Sequence, residues 1–155
     1  MAVNRVAGVS LGSNMGERLA HLRAAYAWLV SISRIPVLVS GIYETDPVGC
    51  APGAAPYLNA VCEIAADLEP LELLRRMRLF ERERGRAMHD ERNAPRPLDL
   101  DLLYAGNLRI QTEELTLPHP RMNQRRFVLQ PLHEIRPDLV LPGDAADIGQ
   151  LLDSL

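Results

Sequence analysis

Asp99 and Asp101 stand one residue apart in the stretch Arg96-Pro97-Leu98-Asp99-Leu100-Asp101-Leu102-Leu103. On an extended strand alternate side chains share a face. Both carboxylates therefore emerge together, while Leu98, Leu100 and Leu102 turn the other way, toward a core. Two carboxylates about 7 Å apart along a strand repel each other. A sheet gains nothing from that arrangement unless a cation or an arginine sits between them. Magnesium suits such a pair, because it takes hard oxygen ligands and keeps positions open for phosphate. A solvated edge strand, or a pair bridged by a nearby arginine, is the plainer account of the same pattern.

The surroundings favour the metal. The segment Gly85 to Pro97 (GRAMHDERNAPRP) has almost no apolar content and two prolines, so it reads as an exposed, mobile loop. It delivers Arg86, Arg92 and Arg96 directly before the acidic pair. Arginines beside a metal pair are what phosphoryl transfer requires, because negative charge spreads over the equatorial phosphate oxygens. Arg75, Arg76, Arg78, Arg82 and Arg84 read instead as a mostly solvated helix face. His119 lies between Pro118 and Pro120, where a lone histidine is more often structural than catalytic, and its place ahead of the arginine-rich run Arg121 to Arg126 also fits a phosphate contact. His21, His89 and His133 have no zinc-site spacing with it. Tyr57-Leu58-Asn59 and Phe127 are unremarkable individually, since most of the seven aromatics of the chain could be core.

Composition narrows the class. All 17 basic residues are arginine, which excludes a Walker-type phosphate loop and a Schiff-base lysine. Arginine and metal must then neutralise any bound nucleotide, and guanidinium meets phosphate oxygens two at a time. A net charge of −3 argues against a nucleic-acid partner. No run of about 18 apolar residues suggests a membrane span, and Met1 to Ser10 does not read as a signal peptide. Cys50 and Cys62 read as buried or incidental thiols rather than a disulfide. A cytoplasmic enzyme is expected, and 155 residues fit one domain, 1–155.

The elements that must position these groups follow from the pattern. Val3 to Leu11 reads as a strand. Asn14-Met15-Gly16-Glu17 has capping-box spacing and opens a helix to about Ser33, with Leu19, Leu22, Tyr26, Leu29 and Val30 as its buried stripe. Val37 to Tyr43 and Tyr57 to Ala66 are strand-like, separated by the turn-rich stretch Asp46 to Pro56. Glu69-Pro70 starts a second helix with Leu71, Leu74, Met77 and Phe80 inward. Leu98 to Tyr104 is the clearest strand, and Ala105-Gly106-Asn107 turns it back into Leu108 to Ile110 as a hairpin. Short helices follow over Arg125 to Leu132 and Ile148 to Leu152. Interleaved strands and helices with a hairpin predict an α+β sandwich with a mixed or antiparallel sheet.

With these residues in view, the chain resembles the 6-hydroxymethyl-7,8-dihydropterin pyrophosphokinases of folate biosynthesis. The resemblance runs from about Val6 to Pro142. It rests on seven segments in order: Leu11-Gly12-Ser13-Asn14, Tyr43-Glu44-Thr45, Tyr57-Leu58-Asn59-Ala60, Gly85-Arg86, Pro95 to Asp101, Leu117 to Met122 and Phe127 to Leu132. Each is weak alone, and together their spacings would have to coincide independently. The resemblance implies a ferredoxin-like-related α+β sandwich, mostly antiparallel and flanked by helices. It implies transfer of pyrophosphate from ATP to the pterin alcohol, giving AMP, with two Mg2+ ions on Asp99 and Asp101. By the same likeness Tyr57 and Phe127 sandwich the pterin and Asn59 hydrogen-bonds it, with Thr45, Pro47 and Val48 completing its recognition. Arg86 and Arg96 match catalytic positions. Glu81, Arg92, Arg96, Leu102, Thr116, His119 and Arg125 match positions lining the ATP site or its covering loop. A monomer without nucleic-acid or membrane partners is expected. The chain departs from the family at Met88, His89 and Asn93, where further basic and aromatic residues are common, and at Pro120, where some members have tyrosine. A catalytically silent nucleotide-binding protein of the same fold, or an RNA-binding module, is the alternative.

Overall fold

The computed structural model describes residues 5–46, 55–85 and 97–155. Its chain order is β1 (Ala7–Ser13), α1 (Arg18–Ile32), β2 (Leu38–Val39), β3 (Tyr43–Thr45), β4 (Tyr57–Ile64), α2 (Pro70–Glu83), β5 (Asp99–Ala105), β6 (Ile110–Gln111), β7 (Thr116–Leu117), α3 (Arg126–Ile135) and α4 (Ile148–Asp153). β1 is central, flanked by β4 and β5, and β2 and β3 pair end to end along the outer side of β4. Every pairing is antiparallel. Counting β2 and β3 as one strand, the order is that of two interlocked split βαβ units, the ferredoxin-like arrangement. This agrees with the α+β sandwich expected from the sequence.

Strand alternation divides the side chains between two cores. Val9, Leu11, Cys62, Ile64, Leu98, Leu100 and Leu102 pack under α1 and α2, whose rings Trp28 and Phe80 stack at 5.0 Å between centroids. Val61, Leu103 and Tyr104 pack under α3 and α4 on the opposite face. A bulge in β5 lies between the pairs Val9–Leu102 and Gly8–Tyr104, leaving Leu103 as the extra residue. It turns two successive side chains, Leu103 and Tyr104, toward α3. Tyr104 lies flat over Gly8, where an added Cβ would come within 2.6 Å of its Cζ. Its hydroxyl donates to Glu63 Oε2 at 2.5 Å, and Arg136 Nη1 holds both Glu63 oxygens at 2.7 Å. A buried acid is tolerated there because both its lone-pair sets are used.

Several local readings need correction. No capping box forms at Asn14: Glu17 is the N-cap without a side-chain bond, and Gly16 has φ +70°. The turn spends that segment before the helix begins, and Asn14 is buried rather than placed at a solvated helix end. The reciprocal cap occurs instead in α4, between Asp147 and Gln150. The buried stripe of α1 is Leu22, Ala25 and Leu29. Small Ala25 lets the helix approach the sheet closely and moves the stripe's centre, which leaves Leu19, Tyr26 and Val30 exposed. Ala105 to Asn107 does turn, yet β6 pairs with β7 rather than returning along β5. In α2 the inward residues are Leu73, Leu74 and Met77, with Leu71 and Phe80 partly buried at the margin. Cys62 is a free, buried thiol, pushed up to about 12 by burial, while Cys50 lies outside the described residues. No helix among them is long and apolar enough to cross a membrane.

Candidate active site

The sheet face that carries α3 and α4 is only half covered. Where β1 ends and β4 and β5 begin, the same face lies open as a cleft of about 730 Å3. Its floor is made by outward residues in register: Asn59 opposite Gly12, Gly12 opposite Asp99, and Ser10 opposite Asp101. Of the central-strand residues that line it, Ser10, Leu11 and Gly12, the Leu11 side chain packs in the opposite core, so nothing large fills the middle. A Cβ on Gly12 would stand 3.5 Å from Asn59 Oδ1 and 3.6 Å from Tyr57 Cδ1. The absent side chain keeps this end of the floor flat.

Asp99 and Asp101 rise side by side from β5, with Leu98, Leu100 and Leu102 buried beneath the opposite face. Burial, and then the charge of Asp99, push the Asp101 carboxyl up to about 6, against the pull of Arg78 and Arg125. The arginines stand off: Arg125 Nη1 is 3.8 Å from Asp101 Oδ2 and Arg78 Nη2 is 4.0 Å from Oδ1. Those separations exceed hydrogen-bonding distance. Asp101, whose ionisation the Asp99 charge opposes and whose neighbours Arg78 and Arg125 stand back, fits a divalent ion held together with Asp99. No cluster of three or more metal-binding side chains occurs among the described residues. A divalent ion held by Asp99 and Asp101 would have room for phosphate and water oxygens in its coordination.

One end of the cleft is aromatic and amidic. Tyr57 and Asn59 reach it from β4, Thr45 and Tyr43 from β3, and Phe127 from α3. Asn59 Nδ2 donates to Thr45 Oγ1 at 2.7 Å. That bond orients the amide and leaves Oδ1 beside Gly12. Glu134 of α3 accepts from Gly41 N–H at 2.9 Å and from the Tyr43 hydroxyl at 2.6 Å. The helix that carries Phe127 is thereby tied to the strand that carries Thr45.

The other end is cationic. Arg78, Arg121 and Arg125 line it together with His119. The Arg125 guanidinium lies 5.4 Å from the centroid of Phe127, so the two ends share a wall. His119 is placed by the bulge, because its N–H donates to Leu103 C=O at 2.8 Å. Burial, then the charges of Arg125 and Arg121, lower its pKa to about 4. Its Nδ1 accepts the Arg121 N–H at 3.2 Å, so the proton of the neutral ring sits on Nε2. A neutral donor results.

Of the residues expected from the sequence, the cleft gathers Asp99, Asp101, Thr45, Tyr57, Asn59, Phe127, His119 and Arg125. Three side chains lie elsewhere. Leu102 is buried under α1 and α2, on the far face of the sheet from the aspartates. Glu81 is 1% exposed and buried behind β5. Thr116 sits in the small sheet formed by β6 and β7. Pro47, Val48, Arg86, Arg92 and Arg96 lie outside the described residues, as do Met88, His89 and Asn93. Arg78 belongs to the cleft although its sequence position reads as a solvated helix face. The signal was its spacing from Glu81, an acid at a core-facing position of α2, three residues after Arg78 and four after Met77.

The fold and cleft together define an α+β sandwich whose open sheet face gathers an acidic pair, aromatic side chains and arginines. Residues 8–137 match the family described as 7,8-dihydro-6-hydroxymethylpterin-pyrophosphokinase (HPPK), and the chain belongs to that family. It is 43% identical over 149 residues to the 2-amino-4-hydroxy-6-hydroxymethyldihydropteridine pyrophosphokinase of Bacillus subtilis, covering 96% of this chain and 88% of that one. A protein of the same description from Haemophilus influenzae is 43% identical over 86% of this chain and 83% of its own. The folic acid synthesis protein fol1 of Schizosaccharomyces pombe is 37% identical over 98% of this chain, which spans only 21% of that longer protein. Among solved structures, Plasmodium falciparum HPPK-DHPS aligns with a TM-score of 0.76 at 12% identity, covering 99% of this chain and 46% of that one. That likeness supports the fold alone.

Proposed function

We propose that the protein is a pyrophosphokinase of folate biosynthesis, transferring pyrophosphate from ATP to 6-hydroxymethyl-7,8-dihydropterin to give AMP and the pterin pyrophosphate. The observation that carries this reading is that one cleft gathers Asp99 and Asp101 together with Tyr57, Asn59 and Phe127 and with Arg121, Arg125 and His119. The reading takes ATP as co-substrate and two Mg2+ ions on Asp99 and Asp101. We also propose that these residues fold as one domain and act in the cytoplasm as a monomer with no nucleic-acid partner.

The chain's own residues supply positioning. Tyr57 and Phe127 bracket a flat heterocycle over Gly12, and Asn59, oriented by Thr45, reads its polar edge. This sets the hydroxymethyl oxygen toward the acidic pair. Arg125, Arg121 and neutral His119 bind the phosphates, and Arg86, Arg92 and Arg96 add charge around them. Magnesium, when bound, neutralises the triphosphate and lowers the pKa of the attacking alcohol. The alcohol oxygen forms its bond to the β-phosphorus while the bond from that phosphorus to the α-bridging oxygen breaks, so AMP leaves. Alignment of two bound reactants accounts for much of such a rate, and no side chain in the cleft needs to act as a general base.

Incubation with ATP, magnesium and the pterin alcohol should release AMP and pyrophosphorylated pterin in equal amounts. ADP in place of AMP, or nucleotide binding without product, would reject the reading.

A further inference from the structure

We propose that Glu81 is a positioning residue for the metal-binding pair: it pins the Leu100 peptide between Asp99 and Asp101 and holds Arg78 back from the Asp101 carboxylate. This rests on the reading that Asp101 binds a divalent cation beneath ATP.

Among the described residues β5 pairs only with β1, so its outer edge has no strand partner there. Leu100 is fully buried, and its peptide groups need partners from elsewhere. α2 supplies both. Leu100 N–H donates to Glu81 Oε2 at 2.7 Å, and Leu100 C=O accepts from Arg78 Nη1 at 2.7 Å. Arg78 Nη1 also donates to Glu81 Oε1 at 2.9 Å, which closes a ring of three bonds. In an antiparallel ladder, outward-facing and partner-facing residues alternate. With Leu100 facing α2, the peptide groups of Asp99 and Asp101 face β1. The strand is gripped from both sides at the residue between its two acids.

The same ring restrains Arg78. Its Nη1 is occupied twice, and its Nη2 stops 4.0 Å from Asp101 Oδ1. Arg125 stands at 3.8 Å from the other oxygen, carried by the residue before α3 and outside the ring. Without the Glu81 charge, Arg78 is drawn to the nearest remaining carboxylate. A fork of guanidinium bonds on Asp101 would occupy the oxygens a metal needs. Glu81 therefore keeps Asp101 available without touching substrate.

Glu81→Gln retains an oxygen for Leu100 N–H and removes the charge that holds Arg78. The test is calorimetric titration of Mn2+ into protein saturated with a non-hydrolysable ATP analogue, with melting curves recorded alongside. Glu81→Gln should weaken Mn2+ binding about tenfold, in the range found for partners of metal ligands, and leave pterin affinity unchanged. Adding Arg78→Ala to Glu81→Gln should restore most of the lost Mn2+ affinity. If Glu81→Gln does not fold, Glu81→Met replaces it, similar in length and again without the charge that holds Arg78, with the same loss and recovery expected. Equal Mn2+ affinity in wild type and variant, with only a lowered melting temperature, would overturn the proposal. So would a double variant that binds no better than the single one. Failure of the wild type itself to bind Mn2+ would instead bring down the metal reading, and this inference with it.

Discussion

Replacing Phe127 by alanine separates the two ends of the cleft. The ring is partly buried, with one side on the core formed by α3 and α4 and another lining the cleft. Removing it takes one stacking partner from the pterin, about 1 kcal/mol. It also removes roughly 40 Å2 of apolar contact, about another 1 kcal/mol. The sum corresponds to about a 30-fold rise in the pterin dissociation constant, since about 1.4 kcal/mol is tenfold. ATP feels the change only through Arg125, whose guanidinium lies 5.4 Å from the ring centroid. A partly exposed cation–π contact is worth about 0.5–1 kcal/mol, so ATP affinity should fall by no more than about fivefold. Calorimetry with each ligand separately, using a non-hydrolysable ATP analogue, measures both. Equal losses for the two ligands, or a larger loss for ATP, would refute the assignment of Phe127 to the ring slot.

Asp101→Asn should abolish AMP release. In chelator it should also raise the melting temperature at pH 7 but not near pH 4. The folded carboxyl has its pKa pushed up to about 6, so the folded state holds the proton more tightly than the unfolded chain. Stability tied to this group is therefore full below pH 4 and lost as pH rises through 6, by on the order of 3 kcal/mol. A melting difference independent of pH would contradict that account. His119, held near 4, should remain neutral in an NMR titration at pH 5.5, and His119→Ala should weaken ATP binding about tenfold through a lost phosphate donor. Titration of His119 near its ordinary value would remove it from the phosphate end. Gly12→Ala should fold normally, because the added Cβ makes only ordinary contacts. Raised flooring under the slot should nonetheless increase KM for the pterin with little effect on KM for ATP. Gly8→Ala should lower stability by about 2 kcal/mol or more in denaturant titrations, since Tyr104 must move from its seat.

Much of the fold was readable from local pattern. Strand alternation around Asp99 and Asp101, Pro70 at the first turn of α2 and the apolar stretches of β1 and β4 depend on nearest neighbours, which sequence records directly. Errors arose where a long-range partner decided. Asn14-Met15-Gly16-Glu17 has cap spacing, yet the chain must turn through Gly16 to bring α1 onto the sheet. Leu108 to Ile110 had β5 as its nearest candidate partner, but the outer edge of β5 is occupied by Glu81 and Arg78 from α2.

The order of motifs determined the family and named most of the cleft, because each motif carries its own residue types at its own spacing. Two things waited for the tertiary structure. One was the place of Arg78, whose helix face turns from solvent to the cleft only when α2 lies beside β5. The other was the bulge at Leu103, which docks His119 and seats Tyr104 over Gly8. Both depend on pairings between segments far apart in the chain, and burial across those contacts leaves no local mark in a single sequence.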